Sequence, residues 1–182
     1  MKVISLNIGT RKVIDYKGRV IETGIFKYPV EHPIFLGFED VKNDCVVDRR
    51  YHGGTDQAVY AYSVKHYSYW KELYPDLDWE YGMFGENITI SSLDETTIHV
   101  GDTYKLGEAV IKVTKPREPC LKLGIRFGTQ EILKQFWEST KSGIYFKVLK
   151  TGFVHNDDEL ILIRKEEETP TIAEVFKGKK MP

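Results

Sequence analysis

The chain has 182 residues, with 26 Lys+Arg against 27 Asp+Glu for a net charge of −1, and is 41% hydrophobic and 29% charged. That length suits one domain with a core of its own, and the balanced charge gives no bulk attraction to nucleic acid or to an anionic membrane. The two cysteines, Cys45 and Cys120, stand far apart without a CxxC or His/Cys cluster, which excludes a disulfide framework and a structural zinc site.

The first residues lack a signal peptide's apolar run, and no stretch reaches membrane-spanning length, so a cytoplasmic location is expected. Residues 2–8 alternate like a strand. Two alternating runs then flank Lys17-Gly18, a two-residue hairpin signal in which glycine supplies positive φ. Residues 28–36 are apolar but broken by Pro29 and Pro33, which predicts an edge strand or extended loop. Nothing in this first fifth of the chain points to chemistry.

Residues 45–62 are denser. Cys45-Val46-Val47 reads as a short strand and Ala58-Val59-Tyr60-Ala61-Tyr62 as another. Between them lies Asp48-Arg49-Arg50-Tyr51-His52-Gly53-Gly54-Thr55-Asp56. Glycines let backbone N–H groups approach an anion, and arginines offer forked contacts to its oxygens. A polar hairpin with solvated arginines is the plainer alternative. Ser63 then caps a predicted helix whose stripe of Tyr67, Trp70 and Tyr74 fits core packing better than base stacking. The aromatics are not interleaved with a basic track, which argues against nucleic acid.

Tyr81-Gly82-Met83-Phe84-Gly85-Glu86-Asn87 is a second unusual loop, in which Glu86 is a candidate general acid or base. Short strands follow at 97–100, 103–106 and 109–114, the last leading into Lys115-Pro116-Arg117-Glu118-Pro119-Cys120-Leu121-Lys122. Two prolines stiffen this loop. Cys120 has Lys115, Arg117 and Lys122 as sequence neighbours, and a cationic setting favours the thiolate that attacks electrophiles or binds metals. A small buried apolar residue is the alternative, since free cysteine is commonly buried. A helix over 129–140 with an Ile132, Leu133, Phe136 and Trp137 stripe, strands at 144–149 and 159–164, and a capping box at Thr171–Glu174 complete the chain. Many short strands with few helices predict a mostly β fold, a barrel or sandwich.

Four segments in order carry a family resemblance: Asp48 to Gly54 with Ala58-Val59, Gly82 to Asn87, Ile98 to Asp102, and Pro116 to Leu123. Together they resemble the MOSC domain, named after the C-terminal domain of molybdenum-cofactor sulfurases, in its stand-alone bacterial members of the YiiM/YuaD kind. The likeness spans residues 1–165 and leaves 166–182 as a short tail, helical in part. It implies a closed β-barrel with a few peripheral helices. It also implies that Cys120 is the family's functional cysteine, ligating molybdenum in a molybdopterin-type cofactor, with reduction of N-hydroxylated small molecules as the activity.

Under that resemblance His52 or Glu86 supplies a proton. Arg49, Arg50, His52, Gly53, Gly54, Asn87, Arg117 and Lys122 hold the cofactor. An electron-transfer partner protein is implied, and neither nucleic acid nor membrane is an expected partner. A sulfur carrier is the alternative activity, with Cys120 taking persulfide sulfur from a partner desulfurase that itself uses pyridoxal phosphate. A non-catalytic anion-binding barrel is a further alternative. Gln57 and Tyr51 depart from the lysine and histidine frequent at those positions in the family.

Overall fold

The computed structural model describes residues 1–47 and 53–179. In chain order the strands are β1 (Val3–Gly9), β2 (Lys12–Tyr16), β3 (Arg19–Thr23), β4 (Lys27–Val30), β5 (Ile34–Leu36), β6 (Val59–Ser63), β7 (Ile88–Ile90), β8 (Thr103–Leu106), β9 (Ala109–Pro116), β10 (Ile144–Lys150), β11 (Gly152–Val154) and β12 (Leu160–Arg164). The helices are α1 (Val64–Leu73), α2 (Leu121–Phe127), α3 (Glu131–Glu138) and α4 (Ile172–Gly178). No helix among the described residues is long and apolar enough to cross a membrane.

Eight strands form one sheet in the order β12-β8-β9-β10-β6-β7-β1-β4. The expected closed barrel is corrected to a curled sheet whose ladder does not close. The curl brings the start of β1 against the start of β12, where Lys2 and Glu159 form a single bridge. The Val3 N–H donates to the Asp158 carbonyl at 2.8 Å there. Pro29 puts β4 at the free edge, because proline cannot supply a ladder N–H. The β2–β3 hairpin turns on Lys17 and Gly18, both at positive φ, as a two-residue turn requires.

Period-two alternation sorts the side chains of the central strands into two cores. Val59 and Ala61 of β6, Ile111 and Val113 of β9, and Ile144, Phe146 and Val148 of β10 fill the inside of the curl. Tyr60 and Tyr62 of β6 point the other way, into an aromatic core with Trp70, Phe84, Phe127 and Phe136 under the helices. Tyr145 packs against that second core. All five residues of β6 are buried, so this strand reads as continuously apolar instead of alternating.

Three further expectations need correction. Cys45-Val46-Val47 is not a strand; it is irregular chain held by the Cys45 N–H donating to the Gly9 carbonyl at 3.1 Å. Residues 97–100 are turns, organised by the buried Asp102 carboxylate accepting the His99 and Glu166 N–H groups, each at 2.9 Å. Within the segment read as a tail, residues 172–178 pack on the core. The Thr171 capping box starts α4 as expected, but Ile172, Ala173 and Phe176 are buried and the Phe176 ring stacks on Trp137.

Candidate functional site

Strand β9 ends at Pro116, and the chain crosses the open side of the aromatic core before α2 begins after Cys120. The β9–β10 ladder slips between Tyr145 and Phe146, leaving Thr114 unpaired. The Thr114 hydroxyl closes this bulge by donating to the Tyr145 carbonyl at 2.9 Å. Bulges bend a strand and re-aim the side chains beside them. Here the bulge directs Tyr145 and the Lys115–Cys120 loop towards one place.

That place is a pair of hollows. A small polar recess of about 80 Å³ is lined by Lys27, Asn87 and Arg117, together with Cys45 and Gly53. A larger hollow of about 410 Å³ is lined by Lys115, Glu118, Pro119, Leu121 and Ile21. Cys120, Lys122, Gln57 and Tyr145 line both, so the Cys120 thiol stands on the wall between them. Cys120 is half-buried.

Arg117 is the buried cation of the recess, 5% exposed. Its guanidinium lies 4.8 Å from the centroid of the Tyr60 ring. Its Nε is buried and has no hydrogen-bond partner among the described residues. Burial works against the guanidinium's charge, but Tyr145, Tyr60, Cys120 and Glu86 together outweigh it and hold the group even more firmly protonated than usual. Gly85 makes room for it: at φ +75°, a Cβ there would sit 3.2 Å from Arg117 Nη1.

Lys27 is a second buried cation, with Nζ 2.5 Å from Asp44 Oδ2. The same carboxylate oxygen accepts from Asn87 Nδ2 at 2.9 Å. Burial lowers the Lys27 pKa and the Asp44 charge only partly restores it. Asp44 thus neutralises Lys27, whereas no ion pair or hydrogen bond neutralises Arg117 among the described residues. Among the described residues no carboxylate pairs with the Arg117 charge in the recess, and Lys122 lines the same recess.

The site residues expected from sequence fare unevenly. Gly53, Asn87, Arg117, Lys122 and Cys120 come together at the recess. Arg49, Arg50 and His52 lie outside the described residues. Gly54 does not line the hollows, and its N–H is committed to the Glu39 carbonyl at 3.0 Å. Glu86, the expected proton donor, is placed by the structure as an anchor of its own loop. Its fully buried carboxylate accepts the N–H groups of Gly82 at 2.9 Å and Phe84 at 3.1 Å, the Thr89 hydroxyl at 2.9 Å and the Tyr67 hydroxyl at 2.5 Å. Burial raises its pKa against those donors, but the group faces the fold and lines neither hollow.

Cys45 was expected in an apolar strand away from cations. It faces the recess instead, and its pKa is raised by burial and by Asp44, against Arg11 and Lys27. Lys27, Tyr60 and Tyr145 were not singled out from the sequence. Tyr60 carried a usable signal, since it and Tyr62 put an aromatic at successive outward positions of β6; Tyr145 in β10, followed outward by Lys147, did not. Lys27 carried none, since a lysine beside Tyr28-Pro29 looks like any solvated edge residue.

A MOSC domain family model matches residues 48–161. YflK of Bacillus subtilis is 37% identical over 166 residues, covering 91% of this chain and 75% of that protein. A protein named "Reductase" from Gibberella moniliformis is 34% identical over 151 residues, covering 81% of this chain but only 27% of its own length. The crystal structure of YiiM from Geobacillus stearothermophilus superposes with a TM-score of 0.79 at 32% identity, covering 96% of this chain and 81% of that one.

Proposed function

The chain belongs to the MOSC-domain family, and from that premise we propose that it binds a molybdopterin-type molybdenum cofactor and reduces N-hydroxylated small molecules. The observation that carries the proposal is the buried Arg117 guanidinium, without an ion pair among the described residues, in the same recess as the Cys120 thiol. A cofactor with a phosphate at one end and a sulfur-ligated metal at the other needs a cation and a sulfur donor in one cavity. The donor set fits: thiolate suits a metal already held by sulfur, and guanidinium suits phosphate oxygens.

In this reading Cys120 is the protein's ligand to molybdenum. Arg117 and Lys122 hold the phosphate, while Gly53 lets backbone approach it. Asn87, whose side-chain Nδ2 donates to Asp44 and whose backbone N–H donates to the Tyr60 carbonyl at 2.8 Å, fixes one wall. When bound, the cofactor supplies a two-electron reductant for the N–O bond; the overall change consumes two protons and releases water. The larger hollow on the other side of Cys120 is the substrate's approach. The name of the Gibberella relative agrees with a reductive activity in the family.

The test is elemental and pterin analysis of protein purified from a host that makes the cofactor, followed by turnover of an amidoxime or N-hydroxylated base with a reduced dye. Molybdenum retained by the unmodified protein and by Cys45→Ser, and lost from a folded Cys120→Ser, is the expected result. Metal-free protein that instead accepts labelled sulfur on Cys120 from a desulfurase and cysteine makes it a sulfur carrier. Protein that does neither but still binds phosphate is a non-catalytic anion-binding domain.

A further inference from the structure

Three other tyrosines of the aromatic core spend their hydroxyls on the fold. Tyr60 donates to the Ser142 carbonyl at 2.8 Å, Tyr62 to the Lys141 carbonyl at 3.0 Å, and Tyr67 to Glu86 at 2.5 Å. Tyr145 differs. It lines both hollows, and among the described residues its hydroxyl has no hydrogen-bond partner. Its ring is nevertheless fixed, packed 5.0 Å from the Tyr60 ring and held at the root by the β9–β10 bulge. A rigid ring that carries its hydroxyl to the wall of both hollows, with no protein partner drawing it away, is the arrangement expected of a ligand contact.

We infer that Tyr145 is the hydrogen-bond donor for an oxygen of the small molecule held beside Cys120. Burial raises the Tyr145 pKa and Arg117 only partly offsets it, so the phenol stays protonated and able to donate at neutral pH. Arg117 and Tyr145 then divide the work. The guanidinium supplies the charge, and the neutral phenol supplies a directional contact from another side of the thiol. For a reductase this donor addresses the oxygen of the N–O group. A site built to bond that oxygen discriminates strongly against the product lacking it, since binding the product leaves the phenol unpaired again. The substrate half of this inference rests on the reductase reading, and the donor half does not.

The donor is tested on unloaded protein in a Cys45→Ser background, comparing alkylation of Cys120 by iodoacetate and by iodoacetamide. In both reactions the sulfur forms a bond to the methylene carbon and iodide leaves; only iodoacetate places a carboxylate beside the sulfur. Tyr145→Phe keeps the ring and its contact with Tyr60, and an unchanged unfolding midpoint verifies that. The expected result is an iodoacetate-to-iodoacetamide rate ratio lowered about tenfold in Tyr145→Phe, the size of one hydrogen bond to a charged group. An unchanged ratio overturns the donor role.

With cofactor-loaded enzyme, the variant is expected to raise KM for the N-hydroxylated substrate while leaving competitive inhibition by the deoxygenated product unchanged. Equal losses for both overturn the specificity role. A lowered alkylation ratio in a protein that never turns over leaves Tyr145 as an anion-site donor and removes the reductase reading alone.

Discussion

The Arg117 guanidinium lies over the face of Tyr60 at 4.8 Å, with its Nε buried and, among the described residues, without a hydrogen-bond partner. A cation–π contact desolvated in this way is worth about 2 kcal/mol. It holds the guanidinium in place without consuming its hydrogen-bond donors, as an anion site requires. Tyr60 can serve because it is at an outward position of β6, while Val59 and Ala61 on either side are in the inner core.

Phosphate is therefore expected to stabilise the protein. At ten times its dissociation constant a ligand bound only by the native state adds about 1.4 kcal/mol, which raises Tm by roughly 3–6 °C for a chain of this size. Arg117→Met fills the space without the charge and should abolish that increment, while sodium chloride at matched ionic strength should not reproduce it. Scanning calorimetry across a phosphate series makes the comparison, and an undiminished shift in the variant would remove Arg117 from the anion site.

The hairpin, the edge strand with Pro29, the helix stripes and the α4 capping box could all be seen in the sequence, because each depends on residues adjacent in the chain. The Lys115–Cys120 loop was visible for the same reason. The failures are long-range. Lys27 becomes a cavity residue only because Asp44 and Asn87 meet it from two other segments. Cys45 faces the recess because it hangs from the Gly9 carbonyl, a contact no local pattern announces. Glu86 drew attention as a carboxylate following two glycines; the four donors that converge on it from residues 67–89 are not announced by that local pattern.

Glu86→Gln tests that anchoring role. The amide offers one acceptor oxygen where four donors converge, and its NH2 meets donors, so a loss of about 1–3 kcal/mol is expected. The pH dependence has a definite sign. The folded pKa of Glu86 is raised above 4.5, so the native state holds its proton longer than the unfolded chain does. Its contribution is fully present below the unfolded value and is lost as pH rises through the folded one. The stability gap between native sequence and variant should narrow as pH rises from 4 towards neutrality, measured by urea unfolding. A gap that widens over that range contradicts the burial-dominated assignment.

Phe176 decides whether the last helix is an appendage. It is 1% exposed, edge-on to Phe136 at 6.1 Å and stacked with Trp137 at 4.9 Å. Phe176→Ala is expected to cost about 3–5 kcal/mol, the usual range for emptying a buried aromatic site. A chain cut after residue 165 should lose cooperative unfolding. A truncated protein that melts like the full chain would show that α4 contributes little to the fold.

Gly85 joins the fold to the site. Its φ of +75° lies where side chains are strained, and placing an L-residue there costs roughly 1–2 kcal/mol. Strain is only half of the cost. The added Cβ would stand 3.1 Å from Ile25 Cγ1 and 3.2 Å from Arg117 Nη1. Both contacts are tight and both side chains are buried, but Arg117 meets the new Cβ with the far end of a long, flexible side chain, so the guanidinium is the group more able to give way. Gly85→Ala is therefore expected to remain folded, because the strain is a fraction of a domain's usual stability. It should weaken phosphate binding at least severalfold by turning the guanidinium off its seat on Tyr60. Titration calorimetry with phosphate, beside a thermal melt of the same sample, separates the two effects. If Gly85→Ala lowers Tm but binds phosphate like the native sequence, Gly85 serves the backbone alone and Arg117 tolerates displacement.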